Sequence, residues 1–275
     1  MPLIKKSSGV MELFVPEKLK QSLLRSGATE ALSNAIVKDV ESWIVDGISS
    51  KSIYDRAFSM LRKKTLDVAS RYKLKKAIME LGPTGHPFEH FIGQVYKLQG
   101  FEVEVAQTLP GHCITHEIDV IATKANKQYL IECKFHQDLG KNANVQVPLY
   151  VRSRVDDIVR MRKVNTKFLG YTFIGGVVTN TRFTLDAETY GKCCGLEMLS
   201  WDYPSGNSLK DIVDRYRIYP VTALTLLTNQ AKQLLMEQGV VICRQILEDP
   251  HTLDILALDP RKKQRILDEV SALSA

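Results

Sequence analysis

Two short segments decide the fold of the central part of this chain: EIDVI at residues 117–121 and YLIECKF at residues 129–135. Apolar and charged side chains alternate in both, and a period of two is typical of half-buried β-strands. One face is predicted to meet the core, and it carries Ile118, Val120, Ile131, Cys133 and Phe135. The opposite face carries Glu117, Asp119, Glu132 and Lys134, together with Ile121 and Leu130.

A two-residue turn at residues 125–126 would join these strands into a hairpin. In that register Asp119 opposes Glu132 and Glu117 opposes Lys134, with the Cβ atoms of opposed residues roughly 5 Å apart. A slip of two residues would change the partners but keep the same face.

Opposed carboxylates repel each other, and a hard divalent cation such as Mg²⁺ or Mn²⁺ neutralises them through oxygen ligands. Such a cation also polarises a phosphoryl oxygen and lowers the pKa of bound water. The Lys134 ammonium can hold an attacking water or stabilise charge that builds on the phosphate. Asp119, Glu132 and Lys134 therefore form a coherent set for metal-dependent phosphodiester hydrolysis. A solvated strand face with an ordinary Glu–Lys pair explains the same three residues.

Helical and extended patterns alternate through residues 86–221, which predicts a mixed α/β sheet domain. The predicted helices cover residues 87–99, 151–164, 186–193 and 209–216. The predicted strands cover residues 101–108, 115–123, 128–135, 171–179 and 196–200.

This order of elements resembles the restriction-endonuclease-like fold, in particular the Mrr-type branch of the PD-(D/E)xK nucleases. The resemblance covers residues 86–205 and rests on a helix at 86–93, an Asp strand at 116–121, a Glu-x-Lys strand at 130–135 and a closing strand at 195–201. It implies a Mg²⁺- or Mn²⁺-dependent endodeoxyribonuclease that acts on DNA.

Catalytic roles follow from this resemblance for Asp119, Glu132 and Lys134, with Glu89 of the preceding helix as a fourth member. The metal ligands that it implies are Asp119, Glu132, Cys133 and Glu89. His116 and Glu117 stand where many relatives carry small residues, and they either touch substrate or shape the strand.

The basic excess of the chain lies entirely in residues 1–82, which hold 15 Lys/Arg and 9 Asp/Glu, a net charge of +6. Residues 83–221 carry +1 and residues 222–275 carry −1. A polyanion should meet the first segment before the others, although a solvated basic surface accounts for the same charge. Extended patterns at 3–6 and 11–14 precede predicted helices at 17–25, 29–44, 50–63 and 66–81. The breaker GPTG at residues 82–85 sets the predicted boundary.

The sequence LIKKSSG at residues 3–9, followed by Phe14 and Lys18, resembles the ATP-cone, a domain that binds adenine nucleotides as an allosteric module. The resemblance spans residues 2–81 and implies that ATP or dATP is bound by Ile4, Lys5, Lys6, Gly9 and Lys18. Two departures are the extra serine of Ser7-Ser8 and the Val15-Pro16 pair after Phe14. The chain contains no GxxxxGK[ST] loop, which excludes a P-loop ATPase and makes the nucleotide a signal. A basic helical domain that binds nucleic acid, or nothing, is the alternative.

Residues 222–275 carry helical signals only, with Asp249 and Asp259 each placed to cap a helix that has proline at its first position. Residues 253–273 loosely resemble one unit of a helix-hairpin-helix module, but the glycine of its hairpin is missing. A structural or dimerising bundle fits the segment as well.

We therefore predict an α/β (mixed α+β) protein with a nucleotide-binding domain at 1–82, a nuclease domain at 83–221 and a helical region at 222–275. The predicted function is that of a nucleotide-regulated, metal-dependent DNA endonuclease. A non-catalytic ATP- or dATP-responsive DNA-binding regulator is the alternative. The absence of an apolar signal or membrane segment predicts a cytoplasmic protein without membrane contact, and its five cysteines are predicted to be buried thiols. Because the nuclease segment is nearly neutral, we expect its hold on DNA to depend on local contacts, a partner or homo-oligomeric assembly.

Overall fold

The computed structural model describes residues 2–6 and 9–274. Ser7 and Ser8 of the predicted nucleotide motif lie outside the described residues. The first 72 residues contain a three-stranded sheet of order β2-β1-β3 and four helices around an apolar core of their own. The strands are β1 (Leu3–Lys5), β2 (Met11–Leu13) and β3 (Ile48–Ser49), and the helices are α1 (Pro16–Arg25), α2 (Glu30–Trp43), α3 (Ser50–Lys64) and α4 (Leu66–Tyr72).

The single helix predicted at 66–81 is wrong, because α4 ends before Lys73 and α5 (Leu74–Met79) follows it. Lys73 is buried, and its Nζ donates to the Thr222 carbonyl at 2.8 Å and contacts Glu80 Oε2 at 2.7 Å. Val68 and Ala69 of this stretch belong to the N-terminal core, whereas Leu74 belongs to a second, larger core. The change from one apolar core to the other thus falls between residues 69 and 74, before the predicted boundary at residue 82. The domain limits stay a prediction.

The central sheet has the order β10-β8-β6-β5-β4, with β4, β5 and β6 antiparallel and β6, β8 and β10 parallel. Its mixed topology, with helices on both faces, confirms the predicted fold class. The elements are α6 (His86–Lys97), β4 (Glu102–Pro110), β5 (Thr115–Lys124), β6 (Lys127–Lys134), β7 (Asn142–Ala143), α7 (Gln146–Lys163), β8 (Thr172–Thr179), β9 (Arg182–Phe183), α8 (Leu185–Cys193), β10 (Glu197–Leu199) and α9 (Leu209–Tyr216).

The predicted hairpin register is confirmed for residues 120–124, since Val120 pairs with Ile131 and Lys124 pairs with Lys127 across the turn at 125–126. The pairing ends at Val120, so the predicted pairs of Asp119 with Glu132 and of Glu117 with Lys134 are not formed. Helix α6 covers one face of the hairpin, and α7 covers the other. Close contact of α6 with the sheet depends on Gly93, because a Cβ there would lie 2.8 Å from Val105 Cγ2.

The prediction that Ile118 and Val120 share one face of the hairpin is wrong, because Ile118 packs on the α7 side and Val120 packs on the α6 side. Asp119, which lies between Ile118 and Val120, is paired with neither neighbouring strand. Its partners in a regular sheet would be Ala106 of β4 and Glu132 of β6. Ala106 has a φ of +53°, a left-handed conformation that is costly for alanine. The irregular backbone at this point ends the strict alternation of β5 and separates it from β6.

The C-terminal region packs on the same large core as α5 and α6. It consists of α10 (Asn229–Glu237), α11 (Cys243–Glu248), a 3₁₀ helix (Pro250–Leu256) and α12 (Pro260–Ser274). Both predicted caps are confirmed, because Asp249 Oδ1 accepts from His251 N at 3.0 Å and Asp259 Oδ1 accepts from Lys262 N at 2.9 Å.

A buried carboxylate joins the C-terminal helix to the two segments beside it. Glu269 is 3% exposed, and its Oε1 accepts from Ser70 Oγ at 2.9 Å. Thr225 donates to the same oxygen from its main-chain N at 2.7 Å and its Oγ1 at 2.8 Å, while Leu226 N donates to Oε2 at 3.3 Å. Glu269 therefore links α12 to α4 and to the loop before α10.

Cys133 and Cys243 are buried as predicted, but Cys113 and Cys193 are exposed, so the prediction of buried thiols is wrong for those two. Within residues 2–6 and 9–274, no helix is both long enough and apolar enough to cross a bilayer.

Candidate active site

Asp119 lies at the fork where β5 and β6 separate. Its Oδ2 accepts a hydrogen bond from Cys133 N at 2.7 Å, so the side chain takes the place of the missing ladder partner. Burial raises the pKa of Asp119 to about 7, and the nearby charges of Glu132 and Glu89 act in the same direction. The Cys133 N–H and Arg154 oppose this rise. Near neutral pH the Asp119 carboxyl group is therefore present in both its protonated and its ionised form.

Glu132 is held by two side chains of α7. Arg154 Nη1 contacts its Oε2 at 2.6 Å, and the Tyr150 hydroxyl donates to its Oε1. The Arg154 guanidinium also lies 5.2 Å from the centre of the Tyr150 ring and donates to the Glu117 carbonyl at 3.1 Å. Both oxygens of Glu132 thus have partners from the helix.

Tyr150 and Arg154 are the residues of this site that the sequence did not predict. They follow Gln146 at intervals of four, so all three share one face of α7. This spacing is a signal that the sequence contains, but it acquires meaning only when α7 is known to cross the β5–β6 fork. The helix starts at Gln146, earlier than the predicted residue 151, because Pro148 is tolerated in a first turn.

Glu89 approaches the fork from the first turn of α6. Burial raises the pKa of its carboxyl group, and the charges of Glu117 and Glu132 add to that rise. His86 acts in the opposite direction, with its Nδ1 at 3.3 Å from Glu89 Oε2. Glu89, Asp119 and Glu132 therefore lie near enough to feel one another's charge.

Lys134 ends β6 and lines a cleft of about 540 Å³ with Pro83, Gly85 and Lys141. Gly85 connects this cleft with Glu89, because a Cβ added to Gly85 would lie 3.2 Å from Glu89 Oε1. The chain after Lys134 is fixed by Asn180, whose side chain accepts from His136 N and donates to His136 O, each at 2.8 Å. The lysine thus lies at the carboxyl end of β6, two residues beyond Glu132.

The four predicted metal ligands do not form a closed cation site as they stand. Within the described part of the chain, no group of three His, Cys, Asp or Glu side chains could hold a metal ion. Glu132 is turned towards α7, and the Cys133 side chain belongs to the core, so only main-chain atoms of Cys133 are available. The donor chemistry does fit a hard divalent cation, since Asp119, Glu132 and Glu89 offer carboxylate oxygens near one another, and burial raises the pKa of Asp119 and Glu89.

His116 shapes the strand entry. Its Nε2 lies 2.8 Å from Asp157 Oδ2 on α7, and Asp157 also accepts from Cys113 N at 3.0 Å. The His116 contact holds the pKa of Asp157 well below its usual range, and the Cys113 contacts assist. This network fixes the turn before β5 to the same helix that holds Glu132.

The predicted nucleotide-binding residues occupy different environments. Ile4 is buried in the N-terminal core, Lys5 is exposed, and Gly9 has a φ of +85°. Lys6 Nζ and Lys18 Nζ both approach Glu12, at 3.4 and 2.6 Å, beside a cleft of about 170 Å³. The rings of Tyr54 and Tyr72, which also line the cleft, stack with their centres 5.0 Å apart.

Comparison with known proteins bears on the central and C-terminal segments. Residues 82–200 match the family model described as Restriction endonuclease. Residues 219–274 match the model described as AF1548-like, C-terminal. A curated relative, an uncharacterized protein of Archaeoglobus fulgidus, is 27% identical over 171 residues, which cover 62% of this chain and 92% of the relative.

Two solved structures are similar as well. The protein of unknown function AF1548 shares 25% identity with a TM-score of 0.56, over 68% of this chain and 97% of that one. The MspJI restriction endonuclease, solved in complex with a 27-mer oligonucleotide, shares 15% identity with a TM-score of 0.34, over 63% of this chain and 36% of that one.

Residues 82–200 therefore resemble a restriction endonuclease domain, in agreement with the mixed α/β fold. The β5–β6 fork with Asp119, Glu132 and Lys134 lies inside the matched segment. The ATP-cone resemblance of the N-terminal segment stays a prediction.

Proposed function

We propose that this chain is a metal-dependent DNA endonuclease whose reaction centre is the β5–β6 fork. The observation that carries the proposal is the approach of Asp119, Glu132 and Glu89 at this fork, inside a segment that matches a restriction endonuclease family. Burial and neighbouring carboxylates raise the pKa of both Asp119 and Glu89. Perturbed carboxylates in an accessible cleft are typical of catalytic sites.

Each residue of the fork has a distinct role in the proposed reaction. Asp119 and Glu132, with the Cys133 main chain and Glu89, would hold Mg²⁺ or Mn²⁺, which supplies charge stabilisation to the phosphodiester. Lys134 positions the attacking water and stabilises charge on the phosphate. Tyr150 orients the Glu132 carboxylate, and Arg154 neutralises it where no cation is bound.

The test is cleavage of supercoiled and branched DNA with Mg²⁺, by wild type and by the Asp119→Ala and Lys134→Ala variants. We expect nicked or linear products from wild type and a loss of at least a hundredfold in each variant. Lys127→Ala, at the far end of β6, serves as the matched control and should cleave like wild type. Identical background in wild type and both variants would leave the DNA-binding regulator as the better description.

We further propose that an adenine nucleotide regulates this activity from the N-terminal segment. The support is the pair Lys6 and Lys18, which meet at Glu12 beside the cleft that Tyr54 and Tyr72 line. Two ammonium groups bind phosphate as point charges. At about 170 Å³ the cleft is smaller than the roughly 300 Å³ of typical ligand pockets, so nucleotide entry would widen it.

Calorimetric titration of ATP and dATP tests this regulation. Lys18→Ala should weaken binding at least tenfold, whereas Lys20→Ala on the same helix should not, because Lys20 pairs with Glu30. Equal affinities for both variants would remove Lys18 from the site. Cleavage assays with and without nucleotide would then show whether it activates or inhibits.

A further inference from the structure

A third cleft, of about 550 Å³, lies between the N-terminal segment and the nuclease-like domain. Its walls come from α1, α4, α5, the residues after β10 and α9, and its volume lies in the range of small-molecule sites. Of the predicted nucleotide residues, Ile4, Lys6 and Lys18 line the neighbouring smaller cleft, which shares only Tyr72 with this one. Neither cleft shares lining residues with the Lys134 cleft.

Cations and the rings of Tyr72 and Trp201 line this cleft. Arg25, Lys75 and Lys210 line it together with Trp201, and Lys75 Nζ lies 5.7 Å from the centre of the Trp201 ring. Burial and the nearby charge of Arg182 lower the pKa of Lys75, while Asp202 acts in the opposite direction. Positive groups beside a partly exposed aromatic ring are the two features that bind a nucleotide unit.

The two acidic residues of the cleft have roles within the protein. Asp211 accepts from Ser208 Oγ at 2.7 Å and Ser208 N at 3.1 Å, which caps α9. The Tyr219 hydroxyl donates to Asp214 Oδ1 at 3.4 Å, and burial raises the pKa of Asp214. Their engagement leaves the cations as the groups best placed to meet a ligand.

Trp201 and Lys134 lie at the same edge of the central sheet. Strands β6, β8 and β10 are parallel, with Lys134 paired to Thr179 and Leu199 paired to Val178. Trp201 N donates to Thr181 O at 3.1 Å, just beyond these strand ends. Two strand spacings put Trp201 roughly 10 Å from Lys134 along the edge. That interval corresponds to about three nucleotides of a DNA strand.

We propose that this cleft, the Trp201 cleft, binds a nucleoside phosphate unit, with the base against Trp201 and the phosphate near Lys75, Lys210 and Arg25. Its position favours a nucleotide of the DNA strand that leads from the reaction centre. That assignment rests on the proposed nuclease function, whereas the affinity for nucleoside phosphates does not. A free nucleotide has the same chemistry and is the other source.

The chain has two tryptophans, so Trp43→Phe leaves Trp201 as the single fluorescent reporter. This protein is titrated in EDTA with a twelve-residue oligothymidylate and, separately, with ATP. We expect saturable quenching of Trp201 and a Kd that rises at least tenfold in Lys75→Ala/Lys210→Ala. The control is Lys51→Ala, which removes an exposed lysine at the start of α3. Lys75→Arg/Lys210→Arg keeps both positive charges and should bind like the Trp43→Phe protein. The loss in the alanine variant would then reflect the missing charges.

Each outcome decides one point. Quenching by the oligonucleotide alone assigns the cleft to the DNA strand, and equal quenching by ATP that survives Lys18→Ala assigns it to a free nucleotide. Absence of quenching by both, or equal affinities in the lysine-to-alanine variant and the Lys51→Ala control, would overturn the proposal. Because EDTA prevents metal-dependent hydrolysis, binding without any cleavage in the Mg²⁺ assay would reject the nuclease function and leave the cleft assignment intact.

Discussion

Asp119 is a carboxylate at a position where a neutral side chain would make the folded state more stable near neutral pH. The side chain is surrounded by protein, faces Glu132 and Glu89, and has one main-chain donor in Cys133 N. With a folded pKa of about 7 against an ordinary 3.8, the folded state takes up a proton more readily than the unfolded chain. This contribution to stability is complete below pH 3.8 and is lost as the pH rises to about 7.

Asp119→Asn should therefore stabilise the protein at pH 8, where the wild-type carboxylate is ionised. We expect the free energy of unfolding to rise by about 1–3 kcal/mol, after allowance for solvent screening. The gain should shrink towards pH 4, because the wild-type group is then protonated as well. Thermal melts at several pH values measure this, with Glu117→Gln on the same strand as the control. A gain that is equal at pH 5 and pH 8 would mean that the ionised Asp119 carboxylate is not what destabilises the wild type.

At the scale of elements, the sequence predicted what depends on local pattern. Alternation and a two-residue turn were enough to place the hairpin in its register, and Asp-Pro pairs were enough to place two helix starts. The change of face at Ile118 was missed, because the irregular backbone opposite Ala106 leaves no mark on composition. The break at Lys73 was missed because no glycine or proline marks it in the sequence.

Helix α7 likewise supplies contacts that no local pattern reveals, since Arg154 meets a strand 22 positions earlier. Its guanidinium occupies the Glu132 oxygen that a cation would need. Arg154→Ala should therefore strengthen Mn²⁺ binding by about tenfold, equivalent to 1.4 kcal/mol. Arg152→Ala is the matched control, because Arg152 pairs with Asp156 at 3.0 Å instead. Calorimetric titration of Mn²⁺ measures both, and weaker binding in Arg154→Ala would mean that the arginine supports the ion.

At the scale of the whole molecule, Glu269 ties the C-terminal helix to α4 and to the loop before α10 through four hydrogen bonds. Glu269→Ala leaves the Thr225 and Leu226 amides without an acceptor in a buried setting, so we expect a loss of about 2–4 kcal/mol in the free energy of unfolding. Asp268→Ala, the exposed neighbour, should change it by less than about 0.5 kcal/mol. Urea unfolding measures both, and equal losses would show that the Glu269 contacts contribute little.

The Glu269 linkage also has an evolutionary consequence. A buried carboxylate shared by Ser70 and Thr225 couples mutations at three positions that lie far apart in sequence. Loss of the acid would deprive the Ser70 and Thr225 hydroxyls of this acceptor and favour apolar residues there, so positions 70, 225 and 269 should covary among homologues that contain both segments. Homologues without the N-terminal segment lack Ser70, and position 269 should drift more freely in them. Such an alignment would reveal when the two halves of the protein came to depend on each other.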